Sequence, residues 1–187
     1  MIRRTLLAAL SCLLLASGLA VAPADAATPS RQQWLSDVDQ AMYGSQRYVD
    51  RRVSSGGSML AVNFDIDNTA LATYYDGGGP VVRVLRFAKH ARGKGVRLLF
   101  NTGRISGDGR LQRAKRQLTR AGYVVTEVCG RTSSHETLTH SKQRCRRHFV
   151  AEGYTLIANV GNRSTDFAGV DNYEKAFHLP NYGNQLG

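Results

Sequence analysis

The chain is poor in cysteine, poor in acidic residues and free of repetition. Three cysteines in 187 residues exclude a disulfide-dense scaffold and leave too few ligands for a four-cysteine zinc site. His135, His140 and His148 add no set of metal-binding spacing. The 14 acidic residues are outnumbered by 25 lysines and arginines, a formal net charge of +11. A field of that sign attracts anionic substrates or polyanionic surfaces, without saying which. No internal repeat or low-complexity segment is present. No second long hydrophobic run follows the one at the start, so no membrane span is expected after it.

What is present begins with a leader. Arg3 and Arg4 form a basic stretch, Thr5 to Val21 is mostly Leu and Ala, and Ala24-Asp25-Ala26 is an A-x-A cleavage signal. This pattern predicts export and a signal peptide over residues 1–26. Either the general route or a twin-arginine route fits the Arg3-Arg4 pair. Removing it discards Cys12 and leaves Cys129 and Cys145, which in an oxidising compartment favour one disulfide over two buried thiols. About 160 residues remain, enough for one domain with its own core. An N-terminal helical segment is expected over 27–58 and the core over 59–187.

Ser30 is a helix cap, followed by Trp34, Val38, Ala41, Met42, Val49 and Val53 near helical spacing, with Gly44 as an interruption. Met59 to Phe64 reads as a buried strand. Pro80 suits the first turn of a helix carrying Val81, Val84, Leu85 and Ala88 inward. Val96 to Phe100 is a second strand, Asp108 to Ala121 a helix, and Tyr123 to Val128 a third strand. A helix from about Ser134 to Glu152 and a fourth strand, Tyr154 to Val160, complete the alternation. Strands alternating with helices predict an α/β fold whose parallel sheet is flanked by helices, with ligands at the carboxyl ends of the strands. Arg110, Arg113, Arg116 and Arg120 form a basic stripe on one helix, read either as a solvated face or as a face that docks a polyanion.

The chemistry concentrates in Asp65-Ile66-Asp67-Asn68-Thr69, at the end of the first strand. Two carboxylates this close repel unless a cation neutralises them or one takes a proton. The arrangement suits a nucleophile and an acid–base partner beside a magnesium ion.

These residues resemble motif I, DxDx[TV], of the haloacid dehalogenase (HAD) superfamily, and the string NFDIDNTAL is most similar to its secreted class B and plant-type acid phosphatases. The resemblance runs from Met59 to the C-terminus. It implies a Rossmann-like core with a minimal cap, Asp65 as nucleophile and Asp67 as general acid and base with its backbone carbonyl on Mg2+. Phe100-Asn101-Thr102-Gly103-Arg104 resembles motif II, in which Thr102 and the amides around Gly103 hold the phosphoryl group. Arg104 either contacts phosphate or orients the loop. Lys142 stands where motif III places a cation. Asn159 to Asp166 resembles motif IV, usually GDxxxD, with Asn162 in place of the first acid. Asn162 then ligates Mg2+ through its amide oxygen, and Asp166 holds a metal-bound water or ligates directly. A similar GNRxxD string occurs in lipin-type phosphatases of the same superfamily. The resemblance therefore implies a secreted, Mg2+-dependent phosphomonoesterase acting through an aspartyl-phosphate. Two alternatives stay open: a weakly catalytic phosphate- or polyanion-binding protein on the same fold, and a lipin-like lipid phosphatase. The intervals between motifs leave the site open to small or bulky substrates.

Overall fold

A computed structural model describes residues 28–186, so the expected leader lies outside the described residues. Helices α1 (Arg31–Ala41) and α2 (Ser45–Ser54) come first. Gly44 separates them at φ 74°, a left-handed conformation that glycine adopts without strain. The Ser30 hydroxyl accepts from the Gln33 amide and caps α1. Next come β1 (Leu60–Phe64), the two-residue strands β2 (Leu71–Ala72) and β3 (Gly79–Pro80), α3 (Val82–Gly93) and β4 (Arg97–Ile105). The chain continues through α4 (Arg110–Arg120), β5 (Glu127–Arg131), α5 (Leu138–Ala151), β6 (Thr155–Gly161), the single turn α6 (Ser164–Phe167) and β7 (Ala176–His178).

Five strands form one parallel sheet in the order β5-β4-β1-β6-β7. The chain leaves β1 towards β4 and β5, then crosses to the other side of β1 for β6. That reversal opens a crevice beyond the carboxyl ends of β1 and β6, where such sheets bind ligands. Helices cover both faces. Val62, Phe64, Leu98 and Phe100 face α1 to α4, and Trp34, Val38, Met42, Val84, Phe87, Ala114 and Leu118 join them in one core. The Phe64 and Phe100 rings stack at 5.5 Å. On the other face Ala61, Leu99, Cys129 and Leu156 meet Cys145 and Phe149 of α5.

Alternation along β1 and β4 puts Asn63 and Asn101 on this α5 face, at the ends nearest the crevice. There the apolar layer gives way to amides that fix later elements by hydrogen bonds. Asn63 donates to the Asn159 side chain at 2.6 Å, and Asn159 donates to the Asp166 carbonyl at 2.9 Å. Asn101 donates to the Lys142 carbonyl at 2.8 Å. Cys129 and Cys145 are bridged, with Cα atoms 5.6 Å apart. The bond ties β5 to α5 one turn beyond Lys142 and adds about 3 kcal/mol in the chain-entropy account of a loop this size.

The connection into α5 is fixed by one carboxylate. Glu136, its side chain 6 % exposed, accepts from the Arg144 guanidinium, the His140 ring and both the amide and hydroxyl of Thr132. Arg144 leads the causes that hold this carboxyl well below the ordinary glutamate range. A depressed folded-state pKa stabilises above the unfolded value of about 4.3 and loses that stabilisation as pH falls towards the folded one. Glu136→Gln is therefore expected to cost about 1.5–3 kcal/mol at pH 7. The deficit should shrink on acidification below about pH 4. Urea unfolding of both proteins at neutral and acid pH checks this; a deficit independent of pH would refute it.

Three elements differ from the sequence reading. Pro80 lies in β3, paired with Leu71, and α3 begins only at Val82 because the chain first closes a hairpin. The third strand runs over Glu127–Arg131 rather than 123–128. Tyr123 is buried instead by packing edge-on against Phe100 and by its hydroxyl donating to the Ala70 carbonyl. β4 extends to Ile105, past the expected end at Phe100. Between β1 and β4 stand only the β2–β3 hairpin and α3, so no large cap fits there. No helix among the described residues is long and apolar enough to cross a membrane.

Candidate active site

The crevice holds a cavity of about 180 Å3 lined by Asp65, Asp67, Gly103, Leu138, Lys142, Arg163, Thr165 and Asp166. Asp65 follows β1 directly, and its amide donates to the Val160 carbonyl of β6 at 2.8 Å. The next turn is shaped by Asn68 at φ 55°. Its side chain accepts from the Tyr74 amide and the Thr73 hydroxyl and donates to the Leu186 carbonyl. This holds the loop open so that Asp67 returns to the cavity.

Lys142 is the hub. Only 4 % exposed, its ammonium contacts Asp65 Oδ1, donates to the Asn101 carbonyl at 2.6 Å and pairs with Asp166 Oδ1 at 2.7 Å. Burial alone would lower its pKa, but Asp166 and Asp65 outweigh that and raise it, so the lysine stays charged. Asp166 Oδ2 accepts from the amides of Asn162 and Arg163 at 3.1 and 2.9 Å. That approach needs a bare Gly161, since a Cβ there would lie 2.5 Å from the carboxylate. Gly103 is constrained likewise by Leu138, 2.7 Å from where its Cβ would stand.

Burial pushes the Asp65 carboxyl up to about 7; Lys142 opposes this, while Asp166 and Asp67 add to it. One buried cation thus serves two buried carboxylates, with a third beside them. Asp67 is more exposed, and both its oxygens accept from Arg104, Oδ1 from Nη2 at 2.6 Å and Oδ2 from Nε at 2.9 Å. Arg104 also donates from Nη1 to Gln117 Oε1 of α4 at 2.6 Å. In this geometry Arg104 clamps the motif I loop through Asp67.

The structure brings Asp65, Asp67, Gly103, Lys142 and Asp166 to one cavity. Thr102 lies beneath it, fully buried, its hydroxyl accepting from the Arg104 amide at 3.2 Å. Asn162 is also behind the lining; its amide oxygen has a long 3.4 Å contact with the Thr69 hydroxyl. Sequence reasoning gave no role to Arg163 or Thr165, although both stand inside the motif IV string. Nothing local pointed to Leu138 or Gln117.

Among the described residues no three His, Cys, Asp or Glu side chains are grouped to hold a metal. A cation here would need a mixed donor set. The set expected from the sequence is the second Asp65 oxygen, the Asp67 carbonyl and the Asn162 amide oxygen; Asp65 and Asp67 line the cavity, and Asn162 stands just behind them. All are hard oxygens, and water completes such sets around Mg2+. The excess of buried negative charge at Asp65 makes a cation favourable, so the residues fit.

A parallel sheet with paired aspartates beyond its central strand and a buried lysine facing them defines a HAD-type hydrolase. The chain belongs to the HAD superfamily, subfamily IIIB (acid phosphatase), whose family model matches residues 77–185; it is a phosphomonoesterase. Asp65 and Asp67 lie upstream of the matched stretch. In fold the chain is similar to the class C acid phosphatase from Bacillus anthracis. The two are 17 % identical over 82 % of this chain and 80 % of that one, with a TM-score of 0.65. The same enzyme with tungstate bound gives the same values. These neighbours are class C enzymes and at this identity speak to the fold; the HAD acid phosphatase family expected from NFDIDNTAL is the one matched. No curated protein matches the chain.

Proposed function

We propose that the chain cleaves phosphomonoesters through an aspartyl-phosphate on Asp65, with Mg2+ bound, in an extracytoplasmic compartment. The observation that carries this reading is the buried Asp65 at the end of β1, facing the cavity with Lys142 against one oxygen and Asp67 two residues on. A carboxylate fixed at the end of the central strand loses little orientation entropy when phosphate docks against it.

Asp65 attacks phosphorus, and the bond to the ester oxygen breaks. Asp67 gives that oxygen a proton, and the alcohol leaves. A water then attacks phosphorus, Asp67 takes its proton, and the bond to Asp65 breaks to release inorganic phosphate. Because both Asp67 oxygens accept from Arg104, the clamp has to open before this carboxyl carries a proton. A docking phosphate supplies the competing anion for Arg104. Lys142, held by Asp166, offsets charge on Asp65 and the phosphoryl oxygens. Arg163 lines the same cavity and adds a second cation. Asp65, the Asp67 carbonyl and Asn162 would hold Mg2+, with Asp166 assisting directly or through water, and the cation would screen repulsion between nucleophile and phosphate. The Bacillus anthracis enzyme binds tungstate, a tetrahedral oxyanion of the same kind as phosphate.

Export rests on the Arg3-Arg4 leader and accords with the Cys129–Cys145 bridge, which persists in an oxidising compartment. The metal is tested by phosphate release from a substrate panel with Mg2+ and with EDTA. Chelation is expected to lower the rate by at least about 100-fold and added Mg2+ to restore it, as loss of a Lewis acid does. Asn162→Asp should tighten Mg2+ binding, since a carboxylate is the stronger ligand. Turnover indifferent to EDTA would overturn the metal assignment.

A further inference from the structure

We propose that the groove between the Gly77–Pro80 turn and the end of α4 binds a second phosphate on the substrate's leaving group, which makes a bisphosphate the preferred substrate. The inference rests on the reading of Asp65 and Asp67 given above and extends it to substrate class.

The groove encloses about 290 Å3, with Gly77, Gly78, Gly79 and Pro80 on one wall and Gln117, Arg120 and Ala121 on the other. A single guanidinium separates it from the catalytic cavity. Arg104 lies on Asp67 with Nη2 and Nε and on Gln117 with Nη1. Asp67 lines the first space and Gln117 the second. A leaving group protonated by Asp67 therefore departs towards this groove.

Among the described residues Arg120 is the one charged residue in the groove's lining, and the helix it ends is basic throughout. α4 carries Arg110, Arg113, Lys115, Arg116 and Arg120 without an acidic residue. Among the described residues none of these five forms an ion pair. The acid nearest the glycine wall is Asp76, neutralised by Arg31 at 2.6 and 2.9 Å. Asp108 precedes the far end of the helix. The negative end of the α4 dipole falls in the groove, but Arg120 stands in that last turn and offsets it. The facing wall is short of side chains, and its Gly78 and Gly79 amides donate within the turn to the Ala72 and Asp76 carbonyls. Gly77 and Gly78 have φ of 57° and 93°, and a Cβ on either would meet nothing within 4 Å. A phosphate can thus approach Arg120 and the Gln117 side-chain Nε2 together, since only Oε1 of that amide is taken by Arg104, and a charged hydrogen bond to Arg120 is worth about tenfold in binding.

The test compares adenosine 3′,5′-bisphosphate with adenosine 3′- and 5′-monophosphate, using p-nitrophenyl phosphate as reference. At low ionic strength kcat/KM for the bisphosphate should exceed that of the better monophosphate by about tenfold, and salt should erode the difference. Arg120→Gln should bring the ratio close to one, whereas Arg147→Gln, an exposed charge on α5, should leave it in place. Calorimetry on Asp65→Asn reads the same ratio as affinity without turnover. A bisphosphate advantage in affinity with no hydrolysis of any substrate would sink the hydrolase mechanism and leave the groove standing. A ratio near one in the unmodified protein, or one that Arg120→Gln does not move, would overturn the proposal.

Discussion

Asp65→Asn is expected to lower kcat by at least about 10^4-fold and to leave the fold intact, the size of loss seen when a nucleophile is removed from a working site. Attack on phosphorus needs an anionic oxygen, and a neutral amide has none. Stability should not suffer, because the charge removed is the one that the site holds least comfortably. Asp65 is buried, and Asp166 and Asp67 repel it. Lys142 would keep Asp166 and the Asn101 carbonyl as partners. The variant should also fail to trap phosphate-like fluoride complexes, which mimic the phosphoryl group on this carboxylate. Single-turnover phosphate release with thermal unfolding as a folding control checks it. Near-full activity in a folded variant would remove Asp65 from its role.

What the sequence made legible follows from which interactions are local. β1, β4 and β6 each contain a short, mostly apolar run because parallel strands are covered on both faces. Each stops where the chain reaches the crevice, so the motif residues at their ends were in view at once. β5 was misplaced because its residues, Glu127 to Arg131, are not a hydrophobic run. Register with β4 makes the strand, pairing Leu99 with Glu127 and Asn101 with Cys129. The apolar Tyr123 to Val125 segment before it is loop that packs on the core. β7 is three residues long and exists only through its pairing with β6, and no period can announce so short an element. The same limit hid part of the site. Arg104 was visible as the end of a TGR string, but its partners lie 37 positions before it and 13 after it. The fully buried Arg146 gave no signal either. It sits one turn after Lys142 on α5, and its guanidinium donates to the carbonyls of Asp166 and Ala168 and to the Asn172 side chain. It thereby fixes from beneath the turn whose carboxylate Lys142 grips.

Lys142→Met is expected to do more damage than Asp65→Asn, because it acts on stability and catalysis together. The methionine matches the stem of lysine in length and leaves the packing of α5 close to unchanged. What disappears is the one ammonium serving two buried carboxylates and the Asn101 carbonyl. Breaking a buried ion pair by removing one partner costs about 3–5 kcal/mol, since the other charge stays buried without compensation. Here Asp166 is the more exposed to that penalty. Asp65 can take a proton or a cation, whereas Asp166 is fixed by the Asn162 and Arg163 amides and 2 % exposed. The turn that presents Asn162 should therefore loosen, and Mg2+ affinity should fall along with kcat. Adding Asp166→Asn to Lys142→Met separates the two effects. The double variant removes the orphaned charge and should recover most of the lost stability in urea unfolding. It should recover none of the activity, because the cation that faces the phosphoryl group is still absent. Recovery of turnover in the double variant would show that Lys142 serves only to neutralise Asp166.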